Sequence, residues 1–243
     1  MNPIHIAYLI LLGILSMFTL RAEDDDLYDM AKHHHSPVIH VVTMSIGEWY
    51  QQVTYPSYVN KSTYCEKHGY TFHSYTESMD TTRPIPWTKI LAILEVMEKN
   101  PECDWVFWTD ADSLIMNDKV KLSRLIDPTY NMITASDLNG INTGQFLIKN
   151  CDWSKDFLKR VYAQDQFVNH GWWEQMAIMH LYASNKHDKR HIKVLKQRSM
   201  NSYAKEAYDG NWGIYHEGDF IIHFAGVRGV DLERMMNQYS AHH

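Results

Sequence analysis

The run Trp105-Val106-Phe107-Trp108 is a strand's length of large apolar side chains with no polar residue among them. Successive strand side chains point to opposite faces. A segment apolar at every position is therefore buried on both faces, in a sheet covered on each side. The surrounding pattern supplies the cover. Val38 through Met44 is a short, β-branched strand; Gly47 turns the chain, and a mixed segment to Lys67 reads mainly as helix despite Pro56, with a helix stop at Gly69. Tyr70 through Tyr75 alternates as a second strand. Trp87 through Lys99 places Ile90, Leu91, Leu94 and Met97 at helical spacing, with Pro101 beyond its end. Further strands are predicted at 131–136, 145–149, 192–195 and 220–224, and helices at 153–163 and 172–183. Strands alternating with helices give an α/β fold with a mostly parallel, Rossmann-like sheet flanked by helices. A chain of 243 residues, 45% hydrophobic and 21% charged, suits one such domain, predicted over 38–243.

The buried strand ends in Thr109 and then Asp110-Ala111-Asp112. Carboxylates at i and i+2 of an extended segment face the same way, so both can meet one divalent cation, at the sheet edge where α/β proteins bind ligands. A turn rich in Asp explains the same residues without a ligand. His223 offers a neutral imidazole that would complete a carboxylate and nitrogen set for Mn²⁺ or Mg²⁺, although a strand histidine can equally be a hydrogen-bonded core residue. Arg228, shortly after it, can meet a phosphate.

Other segments carry paired readings. Asn142-Thr143-Gly144 is either a turn entering a strand or an amide, a hydroxyl and a close backbone approach beside a polar substrate. Glu174 and Gln175 are either helix-surface residues or groups that hold sugar hydroxyls while a neighbouring Trp172 or Trp173 stacks on the sugar face. His187 to His191 has zinc-ligand spacing but no H-E-x-x-H and reads as a basic solvent loop. Cys65, Cys103 and Cys151 contain no C-x-x-C; a zinc site is not expected, and at most one disulfide can form. Asn60-Lys61-Ser62 matches a glycosylation acceptor. The net charge of −6 and the lack of a basic block argue against nucleic-acid binding.

Residues 1–22 stand apart. The uncharged run Ile4 to Leu20 approaches the roughly 20 residues of a membrane span, and Leu20-Arg21-Ala22 matches a small-residue cleavage site poorly. An uncleaved signal anchor is favoured over a cleaved signal peptide, with 23–37, which includes His33-His34-His35, as a polar stem.

Taken together, Trp87-Thr88-Lys89-Ile90, Trp105 to Asp112, Asn142 to Asn150, Glu174-Gln175, Gln197 with Met200 to Tyr203, and Glu217 to Gly226 resemble the retaining glycosyltransferases that include fungal Golgi α-galactosyl and α-mannosyl transferases and plant xyloglucan α-xylosyltransferases. The resemblance implies a glycosyltransferase A type fold and a single-pass type II Golgi membrane protein with a lumenal catalytic domain, or a secreted one. It implies transfer of galactose, mannose or xylose from UDP-galactose, GDP-mannose or UDP-xylose to an oligosaccharide or glycan acceptor. Carried over by position, Asp110, Asp112 and His223 become ligands of Mn²⁺ or Mg²⁺, and Asp110 also faces the donor. Thr43 and Ser45 are expected near the nucleotide. Lys89 and Arg228 become phosphate or donor-sugar contacts, Glu174 and Gln175 position donor and acceptor, and Asn142, Thr143, Gly144, Trp173 and Gly226 belong to the donor pocket. Glu174 stands where the family often has Asp, and Val227-Arg228 where it often has Cys and a basic residue. A membrane-anchored carbohydrate-binding protein that kept the cleft without turnover is the alternative.

Overall fold

The structure is a computed structural model that describes residues 36–208 and 210–241. The anchor run Ile4 to Leu20 and the stem through His35 lie outside the described residues. The chain opens with β1 (Ile39–Met44), α1 (Glu48–His68), β2 (Thr71–Tyr75), α2 (Thr88–Lys99), β3 (Trp105–Thr109) and β4 (Ser113–Ile115). It continues with β5 (Met132–Asp137), β6 (Gly140–Lys149), α3 (Asp152–Tyr162), α4 (Trp173–Ser184), α5 (Lys186–His191) and β7 (Ile192–Leu195), and ends with β8 (Ser202–Tyr203), β9 (Ile221–His223) and α6 (Gly229–Ser240).

The main sheet has the order β2-β1-β3-β6-β5-β7. β1 is parallel to β2 and β3, β5 is parallel to β7, and β6 is antiparallel to both its neighbours, so β6 alone runs against the rest. The alternation in β3 serves two cores. Val106 and Trp108 pack with Ile90, Ile93 and Met97 of α2 on one face, and Trp105 and Phe107 pack with Tyr64 and Cys65 of α1 on the other. Each fully buried side chain of that size contributes about 1.5–3 kcal/mol. That is why a strand apolar at every position sits at the centre.

The region predicted as strand, turn and strand over 131–149 is one hairpin. Asp137 Oδ1 accepts the Asn139 N–H at 2.6 Å, and Gly140 takes a φ of 110°; this tight turn leaves no room for a crossover helix, so β6 must reverse. Asn142-Thr143-Gly144 is accordingly inside β6 rather than a turn before it. The basic segment expected as a solvent loop is helix α5. Its Asp188 is fully buried because Arg160 of α3 donates two hydrogen bonds of 2.7 Å to it.

One face of α1 is polar yet buried, and the backbone after β3 explains it. Ser57 Oγ donates to the Ser113 carbonyl at 2.7 Å, and the Tyr64 hydroxyl donates to the Val120 carbonyl at 2.6 Å. The Asn60 amide donates to the Ile115 carbonyl at 3.0 Å and accepts the Ile115 N–H at 2.8 Å. These residues share a helical face. The sequence match at Asn60 thus belongs to an amide already engaged on both its atoms, not to a free glycan acceptor. No disulfide forms: Cys65 and Cys103 are buried free thiols and Cys151 is free and half-buried.

A second sheet, β4-β9-β8, brings distant segments together. β4 turns back immediately after Asp112 and pairs antiparallel with β9, placing Ser113 opposite His223. The Phe224 N–H then donates to the Asp112 carbonyl at 2.9 Å.

Candidate active site

That pairing closes the proposed ligand set. Asp110, Asp112 and His223 each offer one ligand atom, all within 4.8 Å of one another. His223 Nε2 lies 3.3 Å from Asp112 and 3.9 Å from Asp110. On the ring's other side, Nδ1 lies 2.7 Å from Asn201 Oδ1, an acceptor for its N–H, so that Nε2 is the ring atom that faces the carboxylates. A second hydrogen bond that fixes the tautomer is the usual support of a ligating histidine. Gly144 makes room for the ring: a Cβ there would stand 2.3 Å from His223 Cε1. Burial pushes the Asp112 carboxyl up, and His223 with Lys61 outweighs it, holding the group below the ordinary aspartate range.

The cleft floor is an ion triad. The Lys89 ammonium sits 2.7 Å from Glu174, 3.1 Å from Asp110 and 3.1 Å from the Thr143 carbonyl. Burial opposes its charge, but the two carboxylates overcome that and raise it above the ordinary lysine value. Burial raises Glu174 and Lys89 partly offsets the rise. All three ammonium donors are used, and Lys89 ties Glu174, Asp110 and the Thr143 carbonyl into one cleft floor. Asp110 is also fixed by the Trp108 indole N–H at 2.7 Å.

A cleft of about 750 Å³ lies over this floor. Its lining includes Lys89, Asp110, Asp112, Asn142, Thr143, Gly144, Trp173, Glu174, Gln175, His223, Gly226 and Arg228, so these residues form one wall system. Gln175 Oε1 accepts the Thr143 N–H at 3.1 Å. Trp173 adopts a φ of 39°, unusual for a bulky residue, where α4 meets the cleft. Arg228 is exposed and makes no ion pair among the described residues. Thr43 and Ser45 are not brought into the cleft. Alternation turns them to the α1 side, where Ser45 Oγ bonds Thr54 Oγ1 at 2.8 Å, and Met44 and Ile46 line the cleft instead.

Several lining residues carried no sequence signal of a site. Asp137 accepts hydrogen bonds from Asn142 at 2.9 Å and from the Tyr203 hydroxyl, and Tyr203 stacks on Tyr208 with centroids 4.4 Å apart. Trp49 and Tyr50, from the first turn of α1, complete the wall. Burial, then the charges of Asp112 and Asp110, raise the Tyr50 phenol well above its ordinary value, so it stays neutral. An Asp on a hairpin tip and aromatics after a Gly are too common to single out.

Residues 35–130 and 127–230 match the family described as the galactosyl transferase GMA12/MNN10 family. The chain belongs to this galactosyl transferase family. Within it, the chain is 32% identical over 209 residues to an uncharacterized alpha-1,2-galactosyltransferase of Schizosaccharomyces pombe, covering 69% of this chain and 54% of that protein. An alpha-1,2-galactosyltransferase of the same yeast is 26% identical over 207 residues, with 69% and 54% covered. The chain therefore spans about half the length of the curated relatives it matches. Among solved structures, a glycosyltransferase involved in glycosylation of the major capsid of PBCV-1 aligns with a TM-score of 0.67 at 18% identity, over 83% of this chain and 100% of that one. The galactosyltransferase LgtC aligns with a TM-score of 0.56 at 12% identity, over 84% and 95%. The family member described here thus has the glycosyltransferase A type fold. No helix among the described residues is long and apolar enough to cross a membrane.

Proposed function

We propose that this chain is a retaining, metal-dependent glycosyltransferase that moves a hexose or pentose from a nucleotide-diphosphate sugar to a glycan acceptor. The supporting observation is the convergence of Asp110, Asp112 and His223 in the cleft, whose lining also holds Arg228, without an ion pair among the described residues. Two carboxylates and a tautomer-fixed imidazole fit a divalent cation, and the nitrogen donor favours Mn²⁺ over the more oxygen-seeking Mg²⁺. When bound, such a cation supplies positive charge for the departing diphosphate.

The chain's own groups do the rest. Arg228 offers its guanidinium to a phosphate. Lys89 fixes Asp110 and Glu174 in place through its two ion pairs. Glu174 Oε2 is buried at the cleft without a hydrogen-bond partner among the described residues, and it is the acceptor left for a sugar hydroxyl that reaches the cleft floor. Gln175, oriented through Thr143, positions a second hydroxyl. Glu174 is paired to Lys89 and Asp137 is engaged by Tyr203 and Asn142, so neither is an unencumbered nucleophile. This supports front-face attack: the bond from anomeric carbon to phosphate oxygen breaks, the bond to the acceptor oxygen forms on the same face, and the leaving phosphate oxygen takes the acceptor proton.

The relatives' galactosyltransferase names make UDP-galactose the first donor to try, with UDP-xylose and GDP-mannose after it. The Ile4 to Leu20 run supports a Golgi membrane anchor, type II, with the catalytic domain in the lumen. Incubation with Mn²⁺, each donor and a panel of saccharides is expected to yield a glycosylated product with retained anomeric configuration. Asp112→Ala should abolish it while circular dichroism remains native; undiminished transfer by that variant would overturn the assignment.

A further inference from the structure

Lys61 is the most deeply buried ammonium of the described chain that no carboxylate pairs with. Its side chain has no exposure. Its Nζ donates to the Asp110 carbonyl at 2.7 Å and the Ser113 carbonyl at 3.1 Å, and it contacts Ser57 Oγ. An ammonium has three donors, and all three are used here. Two of them reach the two ends of the turn Asp110-Ala111-Asp112-Ser113, which carries both ligand carboxylates. Ser113 Oγ closes the same turn by donating to the Asp110 carbonyl at 2.7 Å. The surrounding helix face does related work one turn along, where Asn60 pairs with Ile115.

Burial of a charged lysine in such a place is costly and is found only where the geometry repays it. Two buried carbonyls drawn to one ammonium fix the spacing of the turn's ends, and with it the directions in which the Asp110 and Asp112 side chains leave the backbone.

We infer that Lys61 is a positioning residue of the metal site, which holds the Asp110–Ser113 turn so that both carboxylates converge with His223 on a divalent cation. The inference rests on the metal-dependent reading of this cleft. It concerns a residue that touches neither cation nor sugar and acts through the turn's backbone.

The test is Mn²⁺ affinity of the full chain without donor or acceptor, measured by electron paramagnetic resonance of free Mn²⁺. Lys61→Met keeps the apolar stem and removes the donors and the charge; Lys61→Gln keeps two donors on a shorter stem. Outer residues that orient metal ligands typically change affinity by about 10–100-fold. Lys61→Met is expected to weaken Mn²⁺ about tenfold or more, and Lys61→Gln severalfold. Lys67→Met lies on the same helix, and its ammonium reaches Asp118, beyond the turn, at 2.6 Å. It is expected to bind Mn²⁺ like the wild type. A merely structural role predicts a lower Tm with Mn²⁺ affinity unchanged, so a folded Lys61→Met or Lys61→Gln variant within twofold of wild type overturns the inference. Should Lys61→Met not fold, Lys61→Gln decides alone; should neither fold, Ser57→Ala, which strips one Lys61 partner and one Ser113 contact, decides by the same criterion. Wild-type protein that binds no Mn²⁺ overturns the metal reading itself and the inference with it, a result distinct from a wild type that binds and variants that bind equally.

Discussion

Replacing Lys89 with Met would leave the floor of the cleft without its cation. The apolar stem and length are kept, but Glu174 and Asp110 lose the ammonium 2.7 and 3.1 Å away. Removing one partner of a buried pair costs about 3–5 kcal/mol, because the other charge stays buried. Most of that falls on Glu174, which is almost wholly buried; the Asp110 side chain is 27% exposed, and water screens its share. At roughly 2–4 °C per kcal/mol for a domain of this size, the Tm should fall by about 6–20 °C. The deficit has a predicted pH dependence. Burial already raises Glu174 above its ordinary value, and Lys89 is the group that restrains the rise. Without Lys89 the folded state holds a proton that the unfolded chain releases, so stability recovers as pH falls through the raised value. The loss should therefore be larger at pH 8 than at pH 5. In the double variant Lys89→Met/Glu174→Gln no buried carboxylate remains at that position, and the Tm should recover part of the loss. Thermal unfolding followed by circular dichroism across this pH range checks each step. A Lys89→Met protein within about 1 kcal/mol of wild type, or a double variant less stable than Lys89→Met, would refute the reasoning.

Two further outcomes follow from the same geometry. Gly144→Ala puts a Cβ 2.3 Å from His223 Cε1 and 2.8 Å from its Nδ1; the ring must shift, at about 1–3 kcal/mol for overpacking, so Mn²⁺ affinity should drop at least tenfold, and unchanged affinity by calorimetry would contradict the packing. His40 and His73 share a 3.0 Å contact on β1 and β2. Burial holds both below their ordinary value of 6.5, with His40 lowering His73 further while Glu102 and Glu95 act oppositely. Folding thus disfavours their protonation, and stability should be full above pH 6.5 and decline below it. His73→Gln should flatten the Tm profile between pH 7.5 and 5.5, and parallel profiles would rule the pair out as its cause.

Strands whose sequences decide their own burial were legible without coordinates: β1 and β3 each show a short apolar signature, and α2 shows its helical stripe. The Asp110, Asp112 and His223 set was legible as types and order, because family motifs keep residues in sequence. Their convergence was not, since it depends on β4 pairing with β9. The same limit hid the partners of Lys89, Lys61 and Asp188, whose buried polar ends are engaged by groups far along the chain. Polar residues on α1 blurred its apolar face, because its buried side bonds the backbone after β3 through Ser57 and Asn60 as well as packing Tyr64 and Cys65 against the sheet. Thr43 and Ser45 were placed by motif at the end of β1, but the pleat turns their side chains away from the cleft. The hairpin joining β5 and β6 was obscured by the readings of 131–136 and 145–149 as separate strands, which missed that 140–144 is extended too.

The central claim is that the acidic pair and His223 form a cation site that activates a nucleotide sugar. Donor hydrolysis tests it most directly because it needs no matching acceptor. The protein, incubated with UDP-galactose, UDP-xylose or GDP-mannose, is predicted to release nucleoside diphosphate from at least one donor in Mn²⁺, and to release none in EDTA or as Asp112→Ala. Absence of release from all three donors in Mn²⁺, or equal release in EDTA, would contradict it.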